Sequence, residues 1–218
     1  MLAAEAKWLS SRIGSMAPED IFPLCDVGSS TAEYREQVQP WIDSYIFRPI
    51  RERGGSVKHI DIKAAPGIDL VGDLSDSTFL KRLAGMEFRS VICANLLEQV
   101  TNREEIAAVI KGIVPPGGFL FITCPYRYPV HLDPIDTRYR PTVAELAGLF
   151  PGTTLVEGET VTNGTYWDAI SGSPLTVVKT ALRLLVPFYH YRNWITNINH
   201  LPWLRRHFQV TCVVLRKD

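Results

Sequence analysis

Short apolar runs alternate with segments of helical spacing along most of this chain, and that alternation constrains the fold most. Residues 22–27 (FPLCDV), 57–62 (VKHIDI), 89–94 (RSVICA) and 119–125 (FLFITCP) each read as a strand, the outer two and RSVICA as buried ones. Between them lie residues 32–53, 76–84 and the segment NREEIAAVIKGIV, whose apolar positions recur at helical intervals. Strand and helix in alternation imply a mostly parallel sheet with helices on both faces. In such sheets ligands bind beyond the carboxyl ends of the strands, so the residues just after each strand become the candidates.

Boundary signals sharpen this reading. Pro40 and Pro49 should break or bend the first long helix, and Gly54-Gly55 should stop it. Asn102 is placed to cap the helix that follows, and Thr142 with Glu145 has the spacing of a capping box. TTLVEGETV and FQVTCVVLRK read as late strands. Residues 162–207 lie between them, an apolar, aromatic and basic insertion. In it Val177, Leu182, Leu185 and Phe188 are expected on one face. Residues 1–218 are read as one domain, with a core at 22–150.

Composition narrows the function classes. Lys+Arg and Asp+Glu number 23 each, so no basic excess argues for nucleic acid. Cys25, Cys93, Cys124 and Cys212 lie apart inside apolar runs and form no CxxC pair, as expected of buried hydrophobes with no metal to hold. No apolar run is long enough to span a membrane and the N-terminus lacks the core of a signal peptide, so the expected location is the cytoplasm.

The strand ends then supply a chemistry. LCDVGSS puts Asp26 in a strand and Gly28 at its exit, followed by Ser29 and Ser30. Glycine there permits a sharp turn and close approach to a ligand, with exposed N–H groups facing it. Asp61 ends the next strand, where a carboxylate can accept both hydroxyls of a ribose, although Asp69 is a second candidate for that role. DLVGDL offers Asp73 beside Leu74, an acid against an aliphatic wall suited to adenine, and Asn95 follows VICA.

In order, DVGSS, IDI, VGDL, ANLLEQV and VPPGGFLFITCP resemble the motifs of class I S-adenosylmethionine-dependent methyltransferases, in particular the type 11-like group. The resemblance covers about residues 22–150. It implies a Rossmann-like doubly wound, mostly parallel seven-stranded sheet with an antiparallel last strand and a helical insertion before it. It implies S-adenosyl-L-methionine as cofactor, held by Asp26, Gly28, Ser29, Ser30, Asp61, Asp73, Leu74 and Asn95. Ser30 stands where that family usually has a second glycine, and a serine can still offer its N–H. The 35 positions from Asp26 to Asp61 (61 − 26) exceed the family's usual spacing.

The acceptor side is expected in residues 126–140, dense in titratable and aromatic groups. His131 is the natural general base near neutral pH, with Asp133 or Asp136 to orient it; the alternative is a loop whose acids pair with Arg138 and Arg140. Similar H-x-D-P-I-D-x-x-x-R-P loops occur in bacterial methyltransferases of glycan assembly, which suggests a small-molecule, glycan or lipid-linked acceptor. The insertion reads as a lid over the acceptor, as a helical surface packed on the sheet or a partner subunit, or, through 174–207, as a peripheral membrane contact. Two other functions stay open: a non-catalytic methyltransferase-like scaffold, and a nicotinamide-dependent oxidoreductase, for which G-x-G-x-x-G is lacking after the first strand.

Overall fold

The computed structural model describes residues 1–130, 135–185 and 191–218. Its elements in chain order are α1 (Ala3–Ser15), α2 (Pro18–Ile21), β1 (Leu24–Val27), α3 (Arg48–Glu52), β2 (Val57–Asp61), β3 (Leu70–Val71), α4 (Ser77–Ala84) and β4 (Ser90–Ala94). There follow α5 (Arg103–Ile113), β5 (Phe119–Arg127), α6 (Val143–Gly148), β6 (Thr153–Thr165), α7 (Tyr166–Ser171), α8 (Pro174–Leu185), α9 (Tyr191–His200) and β7 (His207–Lys217).

The strands form one seven-stranded sheet in the order β3-β2-β1-β4-β5-β7-β6. β1 pairs in parallel with both β2 and β4, and β7 lies antiparallel between β5 and β6. The expected sheet and its antiparallel last strand are therefore present. The chain moves outward from β1 through β2 to β3, then returns to place β4 on the other side of β1. That reversal opens a crevice at the carboxyl ends of β1 and β4.

Alternation along each strand divides the core between the two faces. Cys25, Val27, Val91, Cys93 and Ile122 pack on one face with Leu83, Ile106 and Ile110 of α4 and α5. Leu24, Ile92, Phe121 and Val214 pack on the other, under Leu9 and Ile13 of α1 and Ile46, Phe47 and Ile50. All four cysteines are buried and unpaired, and burial pushes each thiol above its ordinary pKa.

Residues 32–53 do not form one regular helix. Two π-helical turns, Tyr34–Val38 and Asp43–Phe47, flank a break at Gln39, which leaves helical geometry just before Pro40. The residue before a proline is driven out of the α region, so the break has a steric cause. Pro49 does not end the helix: it lies just after the second π-helical turn, inside continuous helical backbone that runs on through α3. Thr142 and Glu145 form the expected capping box. Asn102 occupies the cap position of α5, but its side chain donates to Glu105 Oε2 at 3.0 Å and accepts no helical N–H.

The insertion is shorter than expected, because β6 continues to Thr165 before α7 begins. Val177 and Leu182 do not share a face: Val177 is half-buried and Leu182 is exposed, while the side chains of Leu185 and Phe188 lie outside the described residues. Since β6 runs parallel to β1, α7 starts at the end of the sheet that holds the crevice.

Candidate active site

The turn after β1 is built on left-handed backbone. Gly28 has φ +69° and Ser30 has φ 57°, so the chain reverses twice within three residues. A Cβ at Gly28 would meet only the Leu96 side chain at 3.5 Å, so it is the backbone conformation that calls for glycine there. Ser30 adopts the same region with a side chain, which costs roughly 1 kcal/mol or more.

The three N–H groups of this turn are not offered outward as the sequence led us to expect. Gly28 and Ser29 both donate to the Ile60 carbonyl, at 2.9 and 3.1 Å. Ser30 donates to Asp61 Oδ2 at 2.9 Å, and Lys63 donates to Asp61 Oδ1 at 3.0 Å. β1 and β2 end at the same level, so the end of β2 is the nearest acceptor for these donors. Asp61 is thereby fixed against Ser30. Asp69 is engaged elsewhere: it accepts from the His59 N–H at 2.8 Å and lies 3.8 Å from Lys58 Nζ.

The carbonyls of the turn meet Arg35, a buried residue on the first π-helical turn. Its guanidinium donates to Ser29 O at 3.1 Å, Ser30 O at 2.5 Å and Gly67 O at 2.7 Å. Burial pulls this guanidinium below its ordinary pKa, and the charges of Asp26, Glu36, Asp69 and Asp43 oppose that fall. Gly67 touches Ala32 so closely that a Cβ would stand 2.4 Å from its methyl group. Arg35 and Ala32 thus tie the segment between β2 and β3 to the turn after β1.

Asp26 is buried beneath this turn, with its Oδ2 2.8 Å from His59 Nδ1. The His59 ring stands edge-on to Phe47 at 4.6 Å. Asp26 therefore joins β1 to β2 from below. Asp73 is exposed and accepts from the Ser75 N–H at 2.8 Å, while Leu74 is half-buried against the core.

The end of β4 and the middle of β5 are joined by a residue that sequence patterning did not single out. Glu5 of α1 is fully buried; it accepts from Asn95 Nδ2 at 2.8 Å, Thr123 Oγ1 at 2.6 Å and the Leu2 N–H at 2.8 Å. Asn95 itself is left-handed at φ 54° and donates its N–H to Thr123 O. The N-terminal helix is in this way fastened to the crevice edge.

On the acceptor side, His131 and Asp133 lie outside the described residues. Asp136 is held by Arg140 in a two-pronged pair at 3.1 and 2.6 Å, and accepts from the Arg138 N–H at 2.8 Å. Pairing of the loop's acids with its arginines was one of the two readings of this segment. Tyr128 lies 5.2 Å from Phe208, which stacks on Trp203 at 5.5 Å, so the loop after β5 meets the end of the insertion through aromatic rings. Glu98 is buried under the same loop, and Thr137 donates both its N–H and its hydroxyl to the Glu98 carbonyl at 2.8 Å. Burial pushes the Glu98 carboxyl up to about 7; its own backbone N–H and Arg140 oppose the shift, and Glu5 and Asp136 add to it. Glu5, Arg35, Glu98 and His59 are the residues that sequence reasoning missed. Of these only Glu98 belongs to one of the methyltransferase-like motifs, ANLLEQV. Among the described residues no group of His, Cys, Asp and Glu could hold a metal ion.

No family model matches the chain, and no curated protein matches it. Solved structures do. A protein from Galdieria sulphuraria described as a sarcosine dimethylglycine methyltransferase superposes with a TM-score of 0.60 at 11% identity, over 98% of this chain and 84% of that one. A coclaurine N-methyltransferase solved with N-methylheliamine and SAH gives 0.52 at 12% identity, over 98% and 70%. The MccD protein gives 0.55 at 15% identity, over 99% and 96%. The chain has the class I methyltransferase fold.

Two expectations follow from these contacts. Ser30→Gly relieves a left-handed serine, so we expect unchanged stability or a gain of up to about 1 kcal/mol despite the added chain entropy of glycine. Chemical denaturation checks it, and a loss above about 1 kcal/mol would mean that the Ser30 side chain holds the turn. Glu98 binds its proton more tightly folded than unfolded, so its contribution is intact below its ordinary value of 4.5 and declines as pH rises toward 7. Glu98→Gln should therefore be more stable than the parent by about 3 kcal/mol at pH 8, with the gap narrowing toward pH 5. Urea midpoints at both pH values measure this, and a gap independent of pH would refute the assignment.

Proposed function

We propose that this chain is an S-adenosylmethionine-dependent methyltransferase acting on a hydroxyl of a small-molecule, glycan or lipid-linked acceptor. One observation carries the reading: Asp61, the left-handed Gly28–Ser30 turn and Asn95 gather at the switch point of a class I methyltransferase fold. The donor chemistry fits an adenosyl cofactor. A carboxylate has about four lone-pair sites, and Asp61 gives one from each oxygen to a backbone N–H, which leaves acceptors for ribose hydroxyls. Leu74 supplies apolar surface beside Asp73 for the adenine. When bound, the cofactor supplies an electrophilic methyl group on a sulfonium sulfur.

The residues of the chain then bind, orient and exclude water. Arg35 and Asp61 hold the turn in one geometry before any ligand arrives, so little ordering remains to be done on binding. Asn95 and Glu5 close the crevice from the side of α1. The loop after β5, the insertion and the start of β7 line the acceptor cleft with Tyr128, Trp203 and Phe208, which exclude water and hold the acceptor in line. His131 takes the acceptor proton, and Asp136 fastens the loop that carries it through Arg140.

The test is transfer of labelled methyl from S-adenosylmethionine to a panel of hydroxyl acceptors. On an acceptor that is labelled, His131→Ala should lower kcat by roughly 10²–10⁴-fold with cofactor affinity nearly intact. Cofactor binding with no transfer to any class would favour a scaffold role, and a parental kcat in the variant would leave positioning as the mechanism.

A further inference from the structure

α8 carries apolar residues on two opposite stripes, and only one of them is packed. Positions 177, 180 and 184 fall on one side of the helix and are half-buried. Leu175, Val178 and Leu182 fall on the other and stand 61%, 53% and 56% exposed. Trp167 of α7 is 50% exposed as well. Water alone would favour polar residues at such positions. Lys179 and Arg183, both exposed, stand beside the outward stripe.

The charge pattern along this stretch of sequence is one-sided, with Asp168 beside Trp167 its only nearby acid in sequence. The whole chain balances its charges, yet no acidic residue occurs between Asp168 and Asp218. Over the same stretch the insertion carries Lys179, Arg183, Arg192, Arg205 and Arg206. An acidic protein surface would draw the cations, but a stripe of aliphatic side chains beside cations that form no ion pair among the described residues matches the apolar interior and anionic headgroups of a lipid bilayer together. Among the described residues no helix is long and apolar enough to cross a membrane, so α8 would lie in the interface plane.

We propose that the outward face of α8, with Trp167, docks this protein on an anionic bilayer surface. α7 begins at the same end of the sheet as the crevice, since it follows directly from the carboxyl end of β6, and α8 packs against α7. Docking there brings the acceptor cleft to the membrane plane, where an acceptor attached to a lipid would present its polar head. The inference rests on the helix face and its charge, and does not need the methyl transfer reading to hold.

Co-sedimentation with phosphatidylcholine vesicles, with and without phosphatidylglycerol, tests it on the full chain without cofactor or acceptor. We expect binding to the anionic vesicles only, weakened by salt. Replacing both Lys179 and Arg183 by Gln should weaken partitioning about 30-fold. The triple variant Leu175→Ser, Val178→Ser, Leu182→Ser should lose binding with an unchanged melting curve, because these side chains touch no core. Absence of binding to either vesicle, or binding that survives both variants, overturns the proposal. So does a concentration-dependent dimer in sedimentation velocity that the triple variant dissolves, which would give the face to a second copy. In each of these cases the methyl transfer reading stands.

Discussion

The site depends on one buried guanidinium. Left-handed backbone at Gly28 and Ser30 turns three N–H groups toward the end of β2 and leaves the Ser29 and Ser30 carbonyls facing the helical segment that follows. Buried carbonyls without donors would cost about 1–3 kcal/mol each. Arg35 meets both and reaches Gly67 as well, so a single side chain sets the spacing of the turn, the helical segment and the connection between β2 and β3. The charge is itself expensive to bury, and Asp26 nearby offsets part of that desolvation.

A second tie works from the opposite side of the crevice. Glu5 brings a buried carboxylate from α1 to Asn95, just past the end of β4, and to Thr123 in the middle of β5. The packing of α1 on the sheet, the conformation of Asn95 and the mouth of the crevice are thus linked through one residue. Between these two ties the crevice is shaped by contacts within the chain.

The strands were legible because burial on both faces demands continuous apolar runs, as RSVICA and FLFITCP display. The capping box at Thr142 was legible because its two partners are three residues apart. Asp61 could be placed because a strand end has a fixed position in this fold, and the structure sets it against Ser30. The roles of Arg35 and Glu5 were hidden for the opposite reason: Gly67 is 32 residues from Arg35 and Asn95 is 90 from Glu5, and no local pattern encodes such partners. The turn's N–H groups bond inward where the sequence predicts outward donors, because their acceptors lie on a neighbouring strand. In α8 helical spacing shows aliphatic residues on both sides but not which side packs, so the face the sequence predicts there differs from the one that forms.

The central claim is that the crevice at the ends of β1, β2 and β4 holds an adenosyl sulfonium cofactor. Isothermal titration of the full chain with S-adenosylhomocysteine, with NADH as a control, tests it most directly. The account predicts one saturable site for S-adenosylhomocysteine and none for NADH, with the first lost in Asp61→Ala. No saturable binding of S-adenosylhomocysteine, or binding that Asp61→Ala leaves unchanged, would contradict it.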